Sequence, residues 1–139
     1  MWLYKNEPVK DDIIQEGQGF VYQITNIISG RKYIGKKNFW ASKTTIKKGK
    51  KKRSKVESDW KNYYGSSNEL LEDIKTLGSD KFKREILEIC PSKGVLGYLE
   101  LRYQIDLRVL EKPSEYYNSF AGGKFHRSHI KPLLDIPSG

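Results

Sequence analysis

Two tyrosines and one glutamate are the residues of this chain whose types and positions could support hydrolysis of a phosphodiester. Tyr22 and Tyr33 lie at matching positions on two neighbouring predicted strands, and Glu100 lies within a predicted helix. Such hydrolysis needs a nucleophilic water, a base for its proton and positive charge near the phosphate. A divalent metal held by a carboxylate commonly provides part of that charge. The same residues also have structural explanations, because paired tyrosines are common cross-strand neighbours and a glutamate often lies at the margin of an apolar helix face.

The charge of the chain indicates a polyanionic partner. Its 139 residues include 26 Lys and Arg against 17 Asp and Glu, which gives a formal net charge of +9. A field of this sign attracts nucleic acid, anionic membranes and acidic proteins. No apolar run approaches the roughly 18 residues that span a bilayer, and the N-terminus lacks the apolar stretch of a secretory signal. We therefore expect nucleic acid and no membrane as the partner, a cytoplasmic location, and Cys90 as a buried, unpaired thiol.

The residues named above need a frame that brings them together, and the hydrophobic pattern predicts one small domain. Alternation in GFVYQITN and RKYIG, joined by a short turn that ends in Gly30, predicts an antiparallel hairpin. FKREILEI predicts a third strand, SSNELLEDIKTLG and residues 95–110 predict helices, and a short helix is expected at 56–64. The fold class is therefore α+β, with a small antiparallel β-sheet of about three strands flanked by helices.

Polar sequence lies on both sides of this domain. We expect residues 1–17 to form an N-terminal arm, residues 18–120 the folded domain and residues 121–139 a basic C-terminal tail. His126 and His129 in the tail could form a metal-binding pair. A solvated tail that touches a nucleic-acid backbone is the favoured interpretation.

Residues 43–55 form a strongly basic insertion in the domain. Eight of these thirteen residues are Lys or Arg, and charges of one sign at this density repel one another and resist packing. We expect an exposed loop, which could serve solubility alone. Contact with phosphates is favoured, because the whole chain is basic. The residues expected to bind DNA are Lys47, Lys48, Lys50, Lys51, Lys52, Arg53 and Lys55.

The spacing of the two tyrosines resembles the signature of the GIY-YIG nuclease family. In FVYQITNIISGRKYIG, Tyr33 opens a complete Tyr-Ile-Gly triplet, and Tyr22 precedes it by the interval typical of that family. The first triplet departs from the pattern, because it reads Phe-Val-Tyr with Gly19 one place early. The resemblance extends more loosely over residues 19–118. There, LGYLELRYQ is similar to the family's metal-binding helix and EYYNSF to its closing segment.

This resemblance implies a DNA endonuclease of the small, stand-alone kind found in homing or phage systems. Tyr22 would act as the general base toward water, and Tyr33 would support the phosphate or the water. Glu100 matches the family's metal ligand and would hold one Mg²⁺ or Mn²⁺, while Asn118 matches the asparagine that braces the site. A tyrosine has a pKa of about 10 in water, so nearby positive charge, such as that of Lys36, would need to lower it.

The resemblance also implies a catalytic arginine and a second polar group near the phosphate. The family's arginine follows the Tyr-Ile-Gly triplet on a helix, and Arg53 is the only arginine between Gly35 and the third predicted strand. Lys61 could replace it, although an ammonium lacks the bidentate fork of a guanidinium. Where the family often has a histidine, Tyr64 or else Tyr63 would act, since a phenol can also donate a hydrogen bond to a phosphate.

Two other classes of protein would also fit the charge. A non-catalytic nucleic-acid-binding module could retain the fold, but a carboxylate such as Glu100 would repel phosphates unless a metal were bound. A basic interaction protein, such as a ribosome- or phage-associated factor, would leave the spacing of Tyr22 and Tyr33 to chance. Double-stranded DNA is therefore the expected substrate. Homing, restriction and structure-specific roles stay open, and so does the choice between a monomer and a homodimer.

Overall fold

A five-stranded sheet with helices on both faces forms the body of the protein in the computed structural model, which describes residues 1–134. The strands are β1 (Trp2–Tyr4), β2 (Glu7–Pro8), β3 (Gly19–Asn26), β4 (Lys32–Asn38), β5 (Trp40–Lys47), β6 (Lys50–Glu57), β7 (Phe82–Cys90), β8 (Phe120–Ala121) and β9 (Phe125–His126). The helices are α1 (Asn68–Leu77), α2 (Lys93–Asp106) and α3 (Lys131–Leu134), with 3₁₀ turns at Asp11–Glu16, Trp60–Asn62, Ser79–Lys81 and Arg127–Ile130. This is the α+β class that the sequence predicted.

The central hairpin of the sheet forms where the alternating pattern predicted it. β3 pairs antiparallel with β4, and Tyr22 lies opposite Gly35. Asn26 closes the turn, because its side-chain oxygen accepts hydrogen bonds from the backbone N–H groups of Ile28 and Ser29. β7 pairs antiparallel with the other side of β3, so the third strand is also confirmed.

The sheet is larger than predicted, and it is mixed. The strand order is β2-β1-β7-β3-β4, and β1 runs parallel to β7. The prediction of an N-terminal arm is therefore wrong: Trp2 is buried, and its ring packs edge-on against Phe20 and Tyr22. Its indole N–H donates to the carbonyl of Trp60 at 2.7 Å. A strand of three residues is too short to show the alternation that reveals longer strands, so the sequence pattern missed it.

The basic insertion is a two-stranded ribbon rather than the loop that was predicted. β5 and β6 pair antiparallel from Trp40 opposite Glu57 to Lys47 opposite Lys50. Lys48 and Gly49 between these strands have positive φ, as the two-residue turn of a tight hairpin requires. The lysine-rich part is exposed as expected. Its charges tolerate the pairing because the backbone groups bond to each other while the side chains stay in water.

Two capped helices cover the faces of the sheet. Ser67 caps α1 and Ser92 caps α2, each with a side chain that accepts a backbone N–H from the first turn. Gly78, with φ of 96°, follows the last residue of α1. Both helices confirm the predictions. The short helix expected at 56–64 is wrong, because β6 continues to Glu57 and only a 3₁₀ turn follows.

Alternate residues of β3 enter two separate cores. Tyr22 belongs to the cluster that Leu70 of α1 completes, whereas Val21 belongs to the cluster that Leu96 of α2 completes. The thiol of Cys90 is buried in the second cluster, as expected, and burial raises its pKa. The period of two residues along a strand thus separates the aromatic core on one face from the aliphatic core on the other.

The chain after α2 covers the free edge of β4. The N–H of Lys32 donates to the carbonyl of Glu115 at 2.9 Å, and the N–H of Tyr117 donates to the carbonyl of Lys32 at 2.8 Å. The described part of the predicted tail is folded, because Ala121 is fully buried and β8 pairs with β9, although its other residues are at least partly exposed. Residues 135–139 of that predicted tail lie outside the described residues. Within residues 1–134, no helix is long and apolar enough to cross a bilayer.

Candidate active site

A cavity of about 550 Å³ opens over the edge strand β4, between the start of α1 and the middle of α2. Its polar lining includes Tyr33, Glu100, Gln104, Asn118 and Arg127, besides residues at the start of α1. The sequence predicted that Tyr33, Glu100 and Asn118 would lie together. They come from the strand, the second helix and the closing segment, so only the folded chain assembles them.

The ring of Tyr33 packs closely over two glycines at the cavity wall, and its hydroxyl group bonds to a serine. A Cβ added to Gly35 would lie 2.9 Å from Cε1 of Tyr33, and one added to Gly65 would lie 3.2 Å from the same atom. The hydroxyl of Tyr33 hydrogen bonds to the Ser66 hydroxyl at 3.0 Å. Burial raises the pKa of Tyr33, and the bond to Ser66 partly offsets that effect. Tyr33 is therefore a neutral phenol with a fixed ring and a partly exposed face.

Tyr22 lies behind Tyr33 and is only 1% exposed. Its ring centroid lies 6.1 Å from that of Tyr33 and 6.0 Å from that of Tyr63. Burial raises the pKa of Tyr22 well above its ordinary value, and the neighbouring phenols add to the effect. Tyr63, the alternative to Tyr64 in the sequence, is thus the tyrosine that contacts Tyr22.

Glu100 lies half-buried in the cavity beside Lys36. Burial raises the pKa of Glu100, and the charge and backbone N–H of Lys36 partly offset that rise. A Cβ added to Gly97, one turn earlier on α2, would lie 3.7 Å from the Lys36 ammonium. The negative charge of Glu100 in turn raises the pKa of both Tyr22 and Tyr33. The carboxylate and the two phenols therefore share one electrostatic environment.

Asn118 joins the closing segment to the edge strand. Its side-chain oxygen accepts the N–H of Ile34 at 3.1 Å, and its amide nitrogen donates to the Ile34 carbonyl at 2.8 Å. Gln104 of α2 donates to the same carbonyl at 2.9 Å and accepts the N–H of Gly122 at 2.8 Å. The backbone between Tyr33 and Gly35 is thus fixed from two directions.

Comparison with known proteins shows the family of the chain. A family model described as "Putative endonuclease segE, GIY-YIG domain" matches residues 2–121. The chain belongs to the GIY-YIG endonuclease family. It is 34% identical over 105 residues to the "Putative endonuclease segE" of Enterobacteria phage T4, a match that covers 75% of this chain and 42% of that protein. The chain thus spans less than half the length of this relative. No solved structure matches the chain significantly.

Three residues expected at the GIY-YIG site lie elsewhere. Arg53 is on β6 in the exposed ribbon and does not line the cavity. The ring of Tyr64 stacks on the guanidinium of Arg84 at 4.1 Å. Lys61 pairs with Asp11 at 3.2 Å. None of the three lines the cavity, so their positions do not support a role there.

Arg127 is a cavity residue that sequence reasoning missed. Its Nε donates to the carbonyl of Leu110 at 3.2 Å, and Nη2 donates to the carbonyl of Asn118. These bonds hold the guanidinium at the cavity wall. No spacing in the sequence marks Arg127, and its segment was interpreted as a solvated tail. Only the pairing of β8 with β9 turns the chain back toward the site.

The two histidines near Arg127 have a local structural role. The ring of His129 accepts the N–H of His126 at 3.1 Å, and the ring of His126 accepts the N–H of Ser128 at 3.1 Å. Together they form a capping box at the start of the Arg127–Ile130 turn. Within residues 1–134, no group of three or more His, Cys, Asp or Glu could hold a metal ion.

A single carboxylate still fits a magnesium-type ion. Mg²⁺ is commonly held by one or two carboxylates and substrate phosphates, while it keeps several of its water ligands. Glu100 offers a half-buried carboxylate at the wall of a polar cavity. Glu69 also lines the cavity, but it forms an ion pair with Arg31. Glu100 is therefore the candidate ligand, and water and substrate would supply the rest.

Proposed function

We propose that the protein is a DNA endonuclease that hydrolyses phosphodiester bonds in the cavity over β4. The observation that carries this proposal is that Tyr33 and Glu100 line one cavity, with Tyr22 packed behind Tyr33, in a chain of the GIY-YIG family. A pair of packing tyrosines alone has no need of a half-buried carboxylate beside it, because burying that charge costs free energy. A site that handles phosphate and a cation does need one.

Tyr33 is the tyrosine that we assign to the attacking water. It lines the cavity, whereas Tyr22 is 1% exposed and cannot reach a substrate without rearrangement. This revises the expectation that Tyr22 is the general base and leaves Tyr22 to position the ring of Tyr33. The raised pKa of Tyr33 means that positive charge must lower it in the substrate complex. The phenolate then accepts a proton from water as the water oxygen attacks phosphorus. The P–O bond to the leaving oxygen breaks, and that oxygen takes a proton from solvent to leave as a hydroxyl.

The remaining groups balance the charge of the phosphate. Glu100 would hold Mg²⁺ or Mn²⁺, which when bound provides positive charge beside the developing negative charge. Arg127 takes the phosphate contact that was expected of Arg53, because its guanidinium already lies at the cavity wall. A guanidinium suits this contact, since its planar fork matches two phosphate oxygens. Asn118 keeps Tyr33 in register by holding the next residue of the strand.

The test is cleavage of supercoiled plasmid DNA in Mg²⁺, in Mn²⁺ and in EDTA. We expect metal-dependent cutting by the native chain and none by Glu100→Ala. Glu69→Ala is the matched control, because Glu69 lines the same cavity but forms an ion pair with Arg31. Binding measured on the same samples by mobility shift should persist in both variants.

Each outcome separates the candidate functions. Full cleavage by Glu100→Ala would remove that residue from the chemistry. Tight binding without cleavage by the native chain in either metal would instead favour the alternative, a nucleic-acid-binding module that retains the fold without catalysis.

A further inference from the structure

The ribbon of residues 40–57 has two faces of different chemistry. Side chains alternate between the faces of a strand, and residues opposite each other across an antiparallel pair lie on the same face. The register of β5 and β6 therefore divides the exposed ribbon into two sets. Face A consists of Ser42, Thr44, Ile46, Lys51, Arg53 and Lys55, and face B consists of Lys43, Thr45, Lys47, Lys50, Lys52 and Ser54.

Face B carries lysines together with two hydroxyl groups that already have hydrogen-bond partners. The Thr45 hydroxyl donates to the carbonyl of Lys52, and the Ser54 hydroxyl donates to the carbonyl of Lys43, both at 3.3 Å. The remaining groups on this face are flexible ammonium groups. Such a surface suits contact with a phosphate backbone, which carries no information about base sequence.

Face A carries groups that phosphate binding does not require. Arg53 lies mid-ribbon, and Ile46, 73% exposed, lies nearer the tip on the same face. An exposed isoleucine adds nothing to solubility or to attraction of phosphate. Arginine is the side chain that most often reads a guanine in the major groove, and apolar side chains contact the methyl group of thymine. Face A therefore combines a base-reading donor with an apolar contact.

The dimensions of the ribbon fit a DNA groove. Each strand has eight residues, which gives a length of about 27 Å. The major groove of B-form DNA is about 12 Å wide and admits a two-stranded ribbon. The deep, narrow major groove of duplex RNA does not admit side chains in this way. The ribbon thus favours duplex DNA over duplex RNA.

A basic path joins face A to the proposed cleavage site. Lys36 and Lys37 line a depression with Lys93, and Lys93 also lines the adjoining depression together with Arg53. At the other end, Lys36 lies beside Glu100. Lys37 is paired with Asp59, so the path rests on Lys36, Lys93 and Arg53. One duplex that follows these residues could contact the ribbon and the cavity at the same time.

We propose that face A enters the major groove of duplex DNA and that Arg53 reads a base pair there, with Ile46 in apolar contact beside it. This inference rests on the proposed function, since the basic path leads to the cavity where cleavage is proposed. It also gives a role to Arg53, which does not line the cavity and so has no place in catalysis. Face B then contacts the sugar-phosphate backbone at the groove wall.

The test begins with selection of duplexes from a randomised library by the native chain in EDTA. Affinity for an enriched duplex and for a scrambled duplex is then measured over a range of salt concentrations, with the variants Arg53→Ala, Arg53→Lys and Lys52→Ala. We expect Arg53→Ala and Arg53→Lys to reduce the preference for the enriched duplex about 5- to 100-fold, because both lose the bidentate fork. Lys52→Ala, the face B control, should weaken both duplexes equally and lower the salt slope by about one.

Each of the following results would overturn the proposal: no enrichment by the native chain, full preference retained by Arg53→Lys, or effects of Arg53→Ala identical to those of Lys52→Ala. Equal competition by duplex RNA would also exclude groove reading of DNA. Because all binding is measured in EDTA, the outcome is independent of cleavage. Failure of plasmid cutting would end the proposed function alone, whereas loss of sequence preference with cutting intact would end this proposal alone.

Discussion

Replacing Asn118 by alanine removes two buried hydrogen bonds from the edge of β4. The side chain is 2% exposed and binds both backbone groups of Ile34, at 3.1 Å and 2.8 Å. After the substitution, the Ile34 carbonyl still accepts from Gln104 at 2.9 Å, but the N–H loses the partner seen here. The two lost bonds therefore differ in cost.

The cost follows from that difference. A buried N–H without a partner costs about 1–3 kcal/mol, and loss of the second bond costs about 0.5–1.5 kcal/mol. We expect Asn118→Ala to lower the free energy of unfolding by about 1.5–4.5 kcal/mol, out of the roughly 5–15 kcal/mol typical of a domain. Asn118→Asp should be at least as harmful, because a carboxylate oxygen would face the Ile34 carbonyl in place of a donor.

Urea unfolding monitored by tryptophan fluorescence measures this loss. Ser119→Ala is the matched control, because Ser119 is the exposed neighbour that lines the same cavity. It should change stability by no more than about 0.5 kcal/mol. A double-mutant cycle with Gln104→Ala adds a second test, since both side chains bind one carbonyl and their costs should not be additive. Equal stability of Asn118→Ala and Ser119→Ala, or strictly additive costs in the cycle, would refute the reasoning.

Three further substitutions test the charge, the close packing and the N-terminal strand. Burial raises the pKa of Glu100, so the folded state is stabilised while Glu100 is neutral and loses that stability as pH rises through the raised pKa. The variant Glu100→Gln should therefore have a higher Tm than the native chain at neutral pH, but not at a pH below the ordinary glutamate range. An unchanged Tm at neutral pH would contradict this. Gly35→Ala should cost about 1–3 kcal/mol in urea unfolding, since its Cβ would lie 2.5 Å from the Tyr22 hydroxyl oxygen, whereas the control Gly94→Ala, with open space around it in α2, should be neutral or stabilising. Trp2→Ala should cost about 3–5 kcal/mol in the same assay, and a negligible loss would restore the view of the N-terminus as a loose arm.

Local sequence patterns were sufficient for the parts of the fold that local forces determine. The β3–β4 hairpin follows from alternation and a turn that Asn26 closes, and α1 follows from a serine cap with an apolar stripe. Tyr33 and Glu100 could be matched to one site because the family resemblance spans both the hairpin and α2. Their convergence needed no knowledge of the remaining strands.

The parts that were missed depend on partners distant in the chain. Trp2 is buried because Phe20 and Trp60 surround it, and nothing in the first ten residues reveals those neighbours. The dense run of like charges predicts a loop and obscures the Lys-Gly turn that joins two strands, although exposed strands tolerate charge well. Arg127 reaches the cavity only because the carbonyls of Leu110 and Asn118 hold it there.

The Tyr-Ile-Gly triplet illustrates why spacing was the strongest guide to the site. Its three residues meet three different requirements of one strand: Tyr33 presents its phenol at the cavity, Ile34 fills the opposite core and offers its backbone to Asn118, and Gly35 leaves room for the ring of Tyr22. A shift of one residue along β4 would exchange the faces and break all three contacts together. A change of register is therefore more damaging to this site than loss of any single side chain, because the rings of both tyrosines pack against Gly35 of this strand.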